Sequence, residues 1–239
     1  MRSTLCLALT ALLATLPGYA ADLRVLVEIG TDMPMAGFRG DQLVEGIQRD
    51  VGIALASRLG REARFISLPR KRIPSGLLRG EGDLACQYRP AWLPGDFDWT
   101  VPFMPNGVVL ISNQHAARPA SLAALADVPI GTVTGYAYPE VEQVLGTHFV
   151  RDDAPDSAHN LSKLTVGRTQ HALIGERFLE YQQHRGNFTL PLHAPMVIQR
   201  YEAQCAVSRR SQVGVADLNR AIEALKRDKT LAAIYARYR

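Results

Sequence analysis

The chain has 239 residues, 47% of them hydrophobic and 21% charged, and carries a formal charge of +4. That length and apolar content exclude a disordered chain and leave room for one large domain or two smaller ones. Its basic residues are spread out rather than gathered in a run with interleaved aromatics, so the positive excess does not argue for a nucleic-acid partner.

At the start, Met1 to Ala20 holds one basic residue, Arg2, then the apolar run Leu5 to Leu16 and the small-residue segment Pro17-Gly18-Tyr19-Ala20. This reads as a secretory leader, residues 1–20, cleaved after Ala20 or after Ala21; the run is too short to span a bilayer. No later stretch is apolar enough to cross a membrane, so the mature protein is expected to be exported and soluble, in the periplasm. With Cys6 gone, Cys86 and Cys205 remain in an oxidising compartment and suggest a disulfide. Two isolated thiols without a nearby histidine do not make a tetrahedral metal site, and no cofactor is implied.

Leu23 to Ile29 (LRVLVEI) predicts a buried strand with Glu28 near its carboxyl end. Gly30 to Asp41 reads as loop, and Ile47, Val51, Leu55 and Leu59 then recur every four residues, predicting a helix stopped by Gly60. Ala63 to Leu68 is a second strand, followed by Pro69-Arg70-Lys71-Arg72 and a helix through Ile73, Leu77 and Leu78. The stretch Leu77 to Phe103 then drops through Gly80-Glu81-Gly82 into a strand at Asp83 to Cys86, leaving by a loop with Gln87, Tyr88, Arg89 and Trp92. The β-α-β-α-β order demands a parallel sheet, and ligands gather at the carboxyl ends of such strands.

Gly107 to Ser112 is the next strand, and the polar segment 113–119 is read as a crossing between two halves. The pattern restarts with a short helix at 121–126, a strand at 128–133, the turn Gly135-Tyr136-Ala137 into a helix, a short strand at 148–151 and a helix at 157–166. Gly167 to Gly175 then repeats the helix, glycine and strand order of residues 77–86. A strand at 204–208 and two helical stretches within 215–238, broken near Asp228, complete the chain; this helix pair is expected to pack on the first half.

In this order the mature chain resembles the periplasmic solute-binding proteins of the polar amino-acid transporter type, family 3. The resemblance rests on LRVLVEI, Leu43 to Gly60, Leu78 to Leu84, Phe97 to Phe103, Val128 to Gly135 and the ending LNRAIEALKRDKTLAAIYARY. It implies a two-lobed α/β fold of the type II periplasmic-binding kind, each lobe a mixed, mostly parallel sheet flanked by helices. Lobe one would be 22–112 plus 200–239, and lobe two 113–199. It also implies a monomer that closes on a small-molecule ligand and hands it to a membrane permease.

Carried across residue by residue, the family's acid at the end of the first strand is Glu28. The aromatic that stacks on the ligand aligns with Arg70, the hydroxyl pair with Gln87 and Tyr88, and the carboxylate-clamping arginine with Arg89 in a shortened loop. The helix amino terminus that shares that carboxylate aligns with Gly135 and Tyr136. The aspartate that receives the ammonium group aligns with Gly175, leaving Glu176 as the nearest acid. This pocket departs from the ordinary α-amino-acid site at two places, so a standard amino acid is not the expected ligand.

Arg70 and Arg72 could grip a carboxylate through paired hydrogen bonds or be solvated loop residues. Glu28 and Glu176 could meet a ligand cation or those arginines. Trp92 is either cleft wall or core, Trp99 is core, and His171 reads as a satisfied core histidine. If the returning strand runs antiparallel beside the strand of Cys86, Cys205 lies next to it; the bridge would close a loop of about 120 residues, stabilising by about 4 kcal/mol at most. The leading expectation is capture of a small polar, anionic or zwitterionic solute. The alternatives are a dehydratase acting on prephenate-like compounds, with Glu176 or Glu28 as acid, and a sensor partner that presents its ligand to a receptor.

Overall fold

A computed structural model describes residues 21–238, and the expected leader lies outside the described residues. Strand β1 (Leu23–Ile29) has the predicted bounds. Its alternation explains its place: Leu23, Val25 and Val27 face one apolar layer and Leu26 the other. Arg24 and Glu28 share the face of Leu26. Arg24, at the amino end, pairs with Asp83 at 2.8 Å, and Glu28, at the carboxyl end, is left to face the cleft.

The stretch expected as loop contains a small hairpin, β2 (Gly37–Arg39) with β3 (Gln42–Glu45). Helix α1 (Ile47–Arg58) buries Ile47, Val51 and Leu55 and ends where Gly60 takes φ of 66°, a left-handed turn that glycine adopts without a Cβ clash. Strand β4 (Ala63–Pro69), a 3-10 turn over Arg70–Arg72, helix α2 (Ile73–Arg79) and strand β5 (Leu84–Tyr88) follow. Both β4 and β5 pair parallel with β1, as the β-α-β-α-β order requires.

After the short β6 (Asp98–Trp99), strand β7 (Met104–Ser112) begins three residues earlier than the sequence suggests. Then come β8 (Ile130–Val133), α3 (Pro139–Leu145), β9 (Arg151–Ala154), α4 (Ser157–Thr165), β10 (His171–Gly175), α5 (Glu176–His184) and β11 (Met196–Val207). Helices α6 (Val215–Arg227) and α7 (Thr230–Arg237) close the fold, separated by Lys229 at φ 63°, one residue beyond the expected break.

The strands lie in the order β4-β1-β5-β11-β7-β10-β8-β9 in one mixed sheet. Residues Met196–Ala203 of β11 run antiparallel to Met104–Leu110 of β7, Cys205–Val207 reach β5, and Val108–Ser112 of β7 reach β10. These two long strands therefore carry the sheet from one lobe into the other. The polar segment 113–119 does not make that crossing: Asn113 donates to Gln170 and Gln114 to Pro191, beside the second lobe. The strand before it has already crossed.

In the first lobe α1, α6 and α7 cover one sheet face through Leu55, Leu218, Ile222 and Ile234, and α2 covers the other through Ile73 and Leu77. The second lobe has the same two-sided design, with Leu161, Leu164 and Phe178 on one side and Val141 and Leu145 on the other. This is the two-lobed α/β fold expected from the sequence. Cys86 and Cys205 lie directly opposite on β5 and β11 and form a disulfide. His171 is buried with Nδ1 2.8 Å from Ser112 Oγ, and burial, with His193 adding, holds its pKa below the usual value; it is a core histidine. Among the described residues, no helix is long and apolar enough to cross a membrane.

Candidate ligand-binding site

The carboxyl ends of β1, β5, β8 and β10 bring Glu28, Tyr88, Val133 and Gly175 to the wall of one cavity of about 110 Å³. Much of that wall is aromatic: Tyr88 and Trp92 come from the first lobe, Tyr136, Tyr138 and Phe178 from the second, and Tyr201 from the crossing strand β11.

At its centre is an ion pair. Glu28 Oε2 accepts from Arg70 Nη1 at 2.8 Å and from the Tyr88 hydroxyl at 3.0 Å. Arg70 Nε donates to the Gly135 carbonyl at 3.0 Å, and the guanidinium lies over the Tyr136 ring at 4.5 Å and the Tyr88 ring at 5.6 Å. Burial is the largest influence on Arg70 and works against its charge, but Glu28, Tyr88 and Tyr136 together outweigh it and the arginine pKa is raised. Burial and then Glu28 push the Tyr88 hydroxyl well above its ordinary range, and Tyr136 is raised for the same two reasons. The tyrosines therefore stay neutral hydrogen-bonding groups beside a fixed pair of charges.

A second carboxylate bridges the lobes. Asp32, just past β1, accepts from the Ser157 amide at 3.0 Å and the Ala158 amide at 3.3 Å, the first turn of α4. Burial, with Asp156 adding, pushes its pKa up to about 6, although those two hydrogen bonds oppose the shift.

Gln87 stands at φ 74° in β5, opposite a register shift in β11 between Gln204 and Cys205. A bulge of this kind re-aims a side chain, here onto the cavity wall, where the Gln48 amide donates to Gln87 Oε1. Trp92 also lines the wall and meets Tyr201 edge-on at 4.7 Å.

The remaining expected residues fall elsewhere. Arg89 donates to Gln199 at 2.6 Å and Glu140 at 3.4 Å, with its guanidinium over Trp92 and Tyr201, behind the wall. Arg72 is exposed, since in a 3-10 turn residues two apart point in different directions. Glu176 pairs with Arg200 at 2.8 Å in an open surface groove with Arg177 and Glu180. The Gly135 turn, expected to offer amides to an anion, instead offers its carbonyl to Arg70, and the Tyr136 amide is spent on Val133. Asp32, Tyr138 and Tyr201 line the cavity but were not anticipated; only Asp32, a carboxylate just past the first strand, carried a positional signal.

Residues 25–239 match the family described as bacterial extracellular solute-binding proteins, family 3. The chain belongs to that family. An ancestral arginine-binding protein bound to arginine is similar in structure, with a TM-score of 0.76 at 19% identity over 92% of this chain and 99% of that one. The binding component of an ABC transporter of Wolinella succinogenes, described as putative and complexed with lysine, gives 0.75 at 15% identity over 91% and 95%. An ancestral amino acid-binding protein, a precursor of cyclohexadienyl dehydratase, gives 0.74 at 18% identity over 91% and 94%. At these identities the likenesses show the shared fold. No curated protein sequence matches this family 3 chain.

Proposed function

We propose that this family 3 protein captures a small zwitterionic, amino-acid-like solute between its lobes and delivers it to an ABC-type membrane permease. The observation that carries the reading is the Arg70–Glu28 pair at the cavity wall. Among the described residues, Arg70 Nη2 and Glu28 Oε1 have no hydrogen-bond partner, so the pair keeps N–H donors for a carboxylate and an acceptor for an ammonium group. The arginine and lysine named for the similar structures support the part of this reading they share with it, an ammonium and a carboxylate on one carbon. In this reading the protein is exported through residues 1–20 and acts as a monomer. Its lobes are 22–112 plus 200–239, and 113–199, exchanging strands along β7 and β11.

Size narrows the class. A cavity of about 110 Å³ with a largely aromatic wall favours a small solute, such as a small neutral amino acid or a near relative. A thermal-shift screen of the mature protein tests the reading. At least one such solute should raise the melting temperature in a concentration-dependent way that follows mass action. A flat response across neutral amino acids, dicarboxylates, amines and small peptides would remove it.

One observation favours a second reading, elimination from a hydroxylated carboxylate: a carboxyl titrating near pH 6, Asp32, lines the cavity where a general acid would act. The two acids first considered for that role have less support, Glu176 being paired with Arg200 away from the cavity and Glu28 tied to Arg70 and Tyr88. Turnover of prephenate-like compounds that is lost in Asp32→Asn would support it. Inert incubation would retire it.

A further inference from the structure

A planar cation is recognised by a carboxylate, a carbonyl oxygen and aromatic faces set around it. All three surround the Arg70 guanidinium, and they come from both sides of the cleft. The first lobe supplies Glu28 Oε2 at 2.8 Å and the Tyr88 ring at 5.6 Å. The second supplies the Gly135 carbonyl at 3.0 Å and the Tyr136 ring at 4.5 Å. The side chain is only 21% exposed, and its Cδ runs close enough to Gly135 that an added Cβ there would sit 3.5 Å away.

We infer that Arg70 is a built-in guest: its side chain fills a guanidinium subsite assembled from both lobes, joins them without any ligand, and restricts the adjoining cavity to ligands that lack a cationic side chain. This rests on the capture reading for the adjoining cavity and names what that cavity refuses. An arginine- or lysine-like ligand would spend Glu28 Oε1 on its α-ammonium and bring its side-chain cation to a receptor already filled by Arg70. A neutral zwitterion needs only the two uncommitted atoms of the pair.

The subsite can be emptied and refilled. In Arg70→Ala the carboxylate, the carbonyl and the two rings remain, so methylguanidine should bind at millimolar concentration and restore part of the lost melting temperature along a saturable curve. The wild type should show at least tenfold weaker binding of the same ion. Small-angle scattering should report a larger radius of gyration for the variant alone and a return toward the wild-type value with methylguanidine. Adding Glu28→Gln to the variant should abolish the rescue.

Equal responses of wild type and a folded Arg70→Ala protein, or no response in that variant, would overturn the inference. Should the variant not fold, the wild type still decides. It should bind neither methylguanidine nor L-arginine, and micromolar binding of either would overturn the inference. Failure of the capture reading looks different, since there no neutral zwitterion stabilises the wild type whatever methylguanidine does to the variant.

Discussion

Asp32 is pulled two ways. Two amides at the start of α4 favour its charge, while burial and the nearby Asp156 oppose it, and the opposition wins, leaving a carboxyl that titrates near pH 6. The folded protein therefore holds this proton more tightly than the unfolded chain. Between about pH 4 and pH 6 the native state binds more protons, so this group's contribution to stability is present at the acid end and is lost as pH rises through about 6. At 1.36 kcal/mol per unit, a shift of about two units, discounted for partial solvation, gives about 2 kcal/mol. Asp32→Asn keeps an oxygen facing Ser157 and Ala158 but cannot ionise. Urea unfolding at pH 4.5 and 7.5 should show the variant gaining on the wild type at the higher pH by about two thirds of that amount, since part of the contribution is already lost by pH 4.5. Equal pH slopes for the two proteins would show that Asp32 is solvated.

At the level of elements, the strands that are near-continuous apolar runs were legible in the sequence, because a sheet buried on both faces leaves few polar residues inside it. β1 and α1 lie where the pattern places them, and the two cysteines face each other because β11 returns antiparallel beside β5. Their bridge closes a separation of 119 residues. Replacing both by serine should lower the unfolding free energy by about 2–4 kcal/mol, read by urea denaturation, and mass spectrometry of the unreduced wild type should find no free thiol at either position. Elements with little burial left little signal. Helix α5 buries only Phe178 and Leu179, β2 is three residues long, and the amino half of β11 is largely half-exposed. The site follows the same logic. Glu28, Arg70, Gln87, Tyr88, Trp92 and Tyr136 converge because strand ends and strand-following turns fix them. The sequence could not show that Arg72 lies on another side of a 3-10 turn, or that Glu176 starts a helix facing Arg200.

For the whole molecule, the ties across the cleft decide how readily it closes. Arg70 reaches Gly135, Asp32 reaches α4, and Arg89, from the loop after β5, reaches Glu140 on α3 while stacked against Trp92 and Tyr201. The strands β7 and β11 connect the lobes covalently, so separating the lobes breaks these side-chain ties without unfolding either core. A contact made only in the closed arrangement shifts the open–closed balance by its own worth and leaves the stability of each lobe nearly unchanged. The Arg89 and Glu140 side chains are 28% and 33% exposed, so solvent screening keeps their pairing to about 0.5–1 kcal/mol. Arg89→Ala should therefore weaken ligand binding by about two- to fivefold, measured by calorimetry with any solute that stabilises the wild type. The urea midpoint should barely move, and small-angle scattering without ligand should show a more open particle. Were unfolding stability to fall as far as affinity, Arg89 would be holding a lobe together rather than holding two lobes to each other.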